Sequence, residues 1–158
     1  MHPEKGKVVV ANDIAAANAL DADWISVKNA HRVLVWLKHS GTNDTDLVLK
    51  LQEATAVAGT SSADIAVTMP IYADTDAGTG SDIMARQTDA ATFTIDPATQ
   101  GSTLVCFDVD PARVLSDGFD CIRIAATGGH GSNNVFAWYE IETRYRGPVA
   151  SMPSAITD

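Results

Sequence analysis

Basic residues are scarce in this sequence. Lys and Arg number 11 against 20 Asp and Glu, a formal net charge of −9 over 158 residues. Phosphate neutralisation needs clustered cations, so the balance argues against a nucleic-acid binder and against an anionic membrane surface. No run of about 18 apolar residues occurs, so no membrane-spanning helix is expected. Residues 1–7 are polar, contain Pro3 and lack the apolar stretch of a secretory signal. The expectation is a protein made in the cytoplasm that leaves it only inside a larger assembly. Cysteine is also sparse. Cys106 and Cys121 have no C-x-x-C partner or neighbouring base, and are expected to be reduced, half-buried thiols rather than a catalytic pair.

Catalytic spacing is absent too. No G-x-S-x-G, H-E-x-x-H or P-loop pattern occurs. His2, His31, His39 and His130 are spread out. His31 and His39 stand too far apart on one strand to share a metal, and surface or half-buried histidines are expected. The loop from Asp74 to Asp82 offers Asp74, Asp76 and Asp82 as hard oxygen ligands for calcium. It departs from the EF-hand pattern, with Thr79 in place of the sixth-position Gly and Ala85 in place of the twelfth-position Glu, and Asp and Gly are ordinary turn residues. The other acids, among them Asp44, Asp46, Asp64, Asp96, Asp108, Asp110, Asp117 and Asp120, mark no pair for glycoside hydrolysis. The expectation is no enzyme, no cofactor and no metal site.

What the sequence does have is strand patterning. Leu47, Leu49 and Leu51 alternate with Asp46, Lys50 and Gln52, the period of a half-buried antiparallel strand. In residues 31–40, Val33, Val35 and Leu37 share one face and Leu34 and Trp36 the other, which predicts a central strand covered on both sides. Further strands are expected at residues 24–28, 65–72, 91–95, 103–109, 119–125 and 135–145, with Pro70 demoting its segment to an edge or bulge. Asp110-Pro111 reads as an N-cap with proline in the first turn, opening one short helical turn. Residues 13–20 are Ala-rich and helix-like, though too short to stand alone. About eight or nine short strands at 8–12-residue spacing predict an all-β antiparallel β-sandwich, jelly-roll-like, with one short helical turn. The chain reads as a single domain over residues 1–158, with tails at 1–7 and 148–158.

Trp24, Trp36 and Trp138 each lie in a strand beside apolar neighbours, so core or interface packing is expected of them. The last strand places Phe136, Trp138, Glu140, Glu142 and Arg144 on one face and Val135, Ala137, Tyr139 and Ile141 on the other. Large groups on both faces fit a sheet that packs inward and also against a neighbouring subunit.

Several segments, taken in order, carry a likeness: residues 23–29 (DWISVKN), 49–55 (LKLQEAT), 107–115 (FDVDPARVL) running into 118–124 (GFDCIRI), and 142–147 (ETRYRG). Over residues 8–147 the series resembles a family of small virion structural proteins of tailed bacteriophages and prophages, and within it a capsid decoration (cement) protein. The resemblance implies a homotrimer on the outside of the virion capsid, with the major capsid protein of the head as partner and no cofactor. On that reading the interface draws on Trp138, Arg144, Tyr145, Arg146 and the 148–158 tail, with the 7–20 segment at the other end. The alternative is a tail- or fibre-associated sandwich that recognises a host glycan, which an exposed aromatic platform favours.

Overall fold

A computed structural model describes residues 6–12, 15–20, 22–78, 80 and 82–144. Its strands, in chain order, are β1 (Gly6–Val10), β2 (Ala15–Ala16), β3 (Ile25–Ser26), β4 (Ala30–Ser40), β5 (Leu47–Ala54), β6 (Ala63–Asp64), β7 (Ile71–Asp74), β8 (Ala85–Arg86), β9 (Thr92–Ile95), β10 (Ser102–Val109), β11 (Cys121–Gly128) and β12 (Asn134–Thr143). Eight of these have four residues or more, which agrees with the sequence expectation. The one α-helix, α1 (Pro111–Val114), starts as expected: the Asp110 carboxylate accepts from the Ala112 N–H at 3.1 Å.

All strand pairing is antiparallel. The larger sheet runs β1-β12-β4-β10-β7-β8, with β2 also on β12. The smaller runs β3-β11-β5, with β6 and β9 end to end along the far edge of β5. The long strands β4, β5, β7, β9, β10, β11 and β12 alternate between the sheets. This wrapping follows from burial. Each strand has one apolar face, and two such faces can only be covered by each other. Val33, Val35 and Leu37 from β4, Val105, Phe107 and Val109 from β10, and Ala137 and Tyr139 from β12 meet Leu47, Leu49 and Leu51 from β5 and Ile122 and Ile124 from β11 in one core. Burying each of the larger side chains stabilises the fold by about 1.5–3 kcal/mol before chain entropy is subtracted. The chain is therefore an all-β antiparallel sandwich.

Three local expectations change. Residues 15–20 are not helical: Ala15 and Ala16 pair with Val135 and Asn134, and a single 3-10 turn follows at Ala17–Ala19. Alanine's helix preference is weak against pairing with a long neighbouring strand. The segment ending at Tyr72 becomes a continuous strand only from Ile71, immediately after Pro70, which has no N–H to give a ladder. His39 is fully buried rather than half-exposed, facing inward between Thr103 of β10 and Val135 of β12.

Candidate interaction surface

The two outer faces of the sandwich differ in kind. On the smaller sheet several outward side chains are polar and paired with one another. Lys50 Nζ meets Asp64 at 2.7 Å, Gln52 bonds both Asp64 and Arg123, and the Arg123 guanidinium lies 4.8 Å from the Trp24 ring centre. The paired ammonium and amide hold the Asp64 carboxyl below its ordinary range. That is how a face made for water looks.

The outer face of the larger sheet is apolar along its middle. Strand register places Val10, Trp138, Trp36, Cys106, Tyr72 and Arg86 in one row across β1, β12, β4, β10, β7 and β8. Trp36 and Trp138 stack with ring centres 5.7 Å apart and planes 5° from parallel. Phe136, two residues along β12 from Trp138, closes on it at 5.6 Å. Leu34 and Leu104 flank the row, and Val8 extends it along β1. The expectation that β4 is covered on both sides is corrected here. β4 is central within its sheet, yet Leu34 and Trp36 are only half-buried. The Trp36 Nε1 hydrogen is shut off from water and meets no acceptor among the described residues.

Charges border the row rather than interrupt it. Arg32 clasps Asp108 through two hydrogen bonds of 2.6 Å. Lys38 Nζ reaches Ser102 Oγ at 2.6 Å and the Ala77 carbonyl at 2.9 Å. A groove of about 510 Å³ opens beside Trp138, walled by Phe136, Leu104 and Met84, with Lys38, Asp74 and Asp82 as its polar lining. Cys106 sits under the row, and burial pushes its thiol up to about 12, with Asp108 and Glu140 adding to the shift. Cys121, on β11, is likewise free and buried, and is also pushed up to about 12. Neither is a nucleophile in this state.

Of the residues expected at an interface, Trp138 stands at the heart of the row. Arg144 lies just past the end of β12, away from the row. The register slips between Glu142 and Thr143, and Arg144 turns to the carbonyl of Ala30 and lines a separate small cleft with Val27, Pro111 and Phe119. The extra residue of the slip is His31 on β4, so β12 keeps its own alternation while β4 bends away beside it. Tyr145, Arg146 and residues 148–158 lie outside the described residues. Within the 7–20 segment, β1 supplies Val8 and Val10, which are 59% and 53% exposed. Sequence reading placed Trp36 correctly opposite Val35 but did not join it to Cys106 and Tyr72, because the row exists only through register between distant strands.

Among the described residues no group of three or more His, Cys, Asp or Glu is arranged to hold a metal ion, and no helix is long and apolar enough to cross a membrane. Asp74 is buried at the end of β7, and its carboxylate accepts from the Asp76 N–H at 3.0 Å as an ordinary turn acceptor. No protein-family model matches the chain, and no curated protein or solved structure is significantly similar to it.

Proposed function

We propose that this chain is a structural, contact-making component of a virion: a capsid decoration protein that docks on the assembled head of a tailed bacteriophage through the outer face of its larger sheet. The observation that carries the reading is the row Val10–Trp138–Trp36–Cys106–Tyr72, which carries no charged residue along the outer face among the described residues, set against the polar network Lys50–Asp64–Gln52–Arg123 on the opposite face. Aromatic side chains clustered at the centre of a patch and charges at its rim are the composition of a protein interface. The sequence likeness to phage virion proteins supports the same class. Binding only the assembled shell stabilises that state by linkage, and repetition over a lattice multiplies a modest contact. In this reading the partner is the major capsid protein, the copies cluster as a trimer, the protein is made in the host cytoplasm and comes to rest on the capsid surface, and no cofactor or catalytic step is involved.

A second reading, a glycan-binding module of a tail or fibre, is favoured by the groove beside Trp138, where an aromatic wall meets Lys38, Asp74 and Asp82. It is the weaker reading. Sugars stack on an open ring face, and Trp36 and Trp138 turn faces toward each other.

The test is co-sedimentation with purified phage heads that lack their decoration protein. The reading expects binding to expanded shells, little binding to unexpanded ones, and loss of binding by at least about tenfold in Trp138→Lys, since a central aromatic anchor commonly carries 2 kcal/mol or more. Equal binding by the variant, or none by either, overturns it. Quenching of tryptophan fluorescence by an oligosaccharide selects the glycan module instead.

A further inference from the structure

We propose that β1 is a self-association edge: two copies of this chain join β1 to β1 antiparallel, about a two-fold axis at Val8, making the larger sheets of both copies one continuous sheet.

The backbone sets the geometry. Ala11 N donates to Ala137 O at 2.9 Å, and Ala11 continues the β1–β12 register in which Lys7 faces Ile141 and Val9 faces Tyr139. In an antiparallel pair, hydrogen-bonded positions alternate with positions that turn their N–H and C=O away. Lys7, Val9 and Ala11 therefore address β12, while Gly6, Val8 and Val10 present their backbone groups to the free side. No backbone hydrogen bond outside the ladder involves Gly6, Val8 or Val10 among the described residues. The side chains of Val8 and Val10 are also among the most exposed large apolar groups described.

Folded proteins blunt such edges by shortness, charge, proline or bulges. The other edges here follow that rule. β2, β3, β6 and β8 have two residues each, and β9 has four with both of its threonines exposed. β1 follows it least, with Lys7 as its only blunting residue. It is five residues long, Gly-Lys-Val-Val-Val, with no proline and high strand propensity.

The second copy is the occupant that the edge itself specifies. An antiparallel two-fold contact is self-complementary by construction. Centred on Val8, it sets Val8 against Val8 and Gly6 against Val10, so the smallest residue meets the branched one. It also forms roughly six backbone hydrogen bonds from groups now turned to the free side. Charge allows this approach where it opposes others. The chain carries −9, yet the only ionic side chain on β1 is Lys7, so no two carboxylates meet at the contact. The joined sheets also extend the apolar row, because Val10 is its first member. The paired surface is small beside the 1,200 Å² or so of a stable interface. The contact is accordingly weak in dilute solution and populated where copies are crowded together.

This inference stands apart from shell docking: β1 pairing without shell binding overturns the proposed function alone, and shell binding without β1 pairing overturns this inference alone. The experiment is register-specific cross-linking of the full chain at high concentration under mild oxidation, with native circular dichroism required of each variant. Val8→Cys is expected to form a disulfide-linked dimer about tenfold faster or more than Val10→Cys and the exposed control Ile83→Cys. Only position 8 opposes itself within the 4.4–6.8 Å Cα range of a disulfide. Light scattering of the unaltered protein is expected to show mass rising toward two chains with concentration, and Val8→Lys to stay at one. Equal cross-linking of all three variants, a one-chain mass at every concentration, or a three-chain mass without selective linkage at position 8 overturns the proposal.

Discussion

Tyr139 and Ile124 tie the two sheets together. Tyr139 stands on β12, and its phenol oxygen accepts from the Ile124 N–H of β11 at 3.1 Å while donating to the Asp23 carbonyl at 3.0 Å. β3 pairs with β11 only at Cys121 and Ile122, so the phenol takes up a ladder position that β3 does not reach. Burial raises the hydroxyl far above the ordinary tyrosine range, and it stays protonated as a donor.

Tyr139→Phe is therefore expected to cost about 1–3 kcal/mol, since it leaves the Ile124 N–H and the Asp23 carbonyl without their partner. Urea unfolding should show a lower midpoint at unchanged slope. An unchanged midpoint means that water replaces the hydroxyl.

His39 gives the fold a pH dependence. Both ring nitrogens are buried and neither makes a close hydrogen bond among the described residues; burial first, then Lys38 beside it, lowers the pKa from 6.5 against a weak pull from the Gln100 backbone. The unfolded chain then binds more protons than the folded one between the two values. Stability is fully present above about pH 6.5 and declines as pH falls toward the folded-state pKa. Urea midpoints measured from pH 7.5 to 5 should fall, and His39→Leu should flatten that slope. Equal slopes in both proteins remove His39 as the cause.

The two thiols should be inert while the chain is folded. With both raised to about 12, against about 8.5 in an unfolded chain, labelling by Ellman's reagent at pH 8 is expected to be about a thousandfold slower in native protein than in urea. Rapid native labelling of either cysteine contradicts this.

Gly41→Ala should be among the most damaging small substitutions. Gly41 holds a φ of +136°, and an added Cβ runs into Asn133 Oδ1. That oxygen accepts from Asn43 N at 3.1 Å, and Asn133 Nδ2 returns a bond to the Asn43 carbonyl at 3.0 Å. Backbone strain alone is expected to cost about 1–3 kcal/mol, and loss of the asparagine pair adds to it. Thermal unfolding checks this, with Gly118→Ala as the comparison. Gly118 also has a positive φ, but open space where its Cβ would stand.

Much of the fold was legible because local pattern and burial agree. Leu47, Leu49 and Leu51 alternate in sequence and all three are fully buried. Asp110-Pro111 carries its cap in its own chemistry, and Pro70 ends irregular chain where its missing N–H requires. β1 escaped because three successive valines show no alternation and follow a polar segment that reads as a tail. The Ala-rich stretch misled because helix preference is local, whereas its strand is imposed by β12. The apolar row was half legible. Trp138 is expected at an interface, and it stands in the apolar row, stacked on Trp36. Arg144 is placed on the same face by parity, but β12 ends at Thr143, and Arg144 turns to the Ala30 carbonyl. The row from Val10 to Tyr72 depends on four registers between five separate strands, which no single segment encodes.

The strand order has a consequence for how the chain reaches this state. β4 lies between β12 and β10, so neither of its neighbours exists while β4 itself leaves the ribosome. Trp36 waits for Trp138, and β1 has no sheet to join until β12 is made. Contact order is correspondingly high, and folding on the millisecond-to-second scale is expected rather than the microseconds of a helical bundle. During that wait the valines of β1 and the apolar face of β4 are open to other nascent chains. A polysome translating this message crowds those same segments together, so the greatest aggregation hazard for this protein comes before its synthesis is complete.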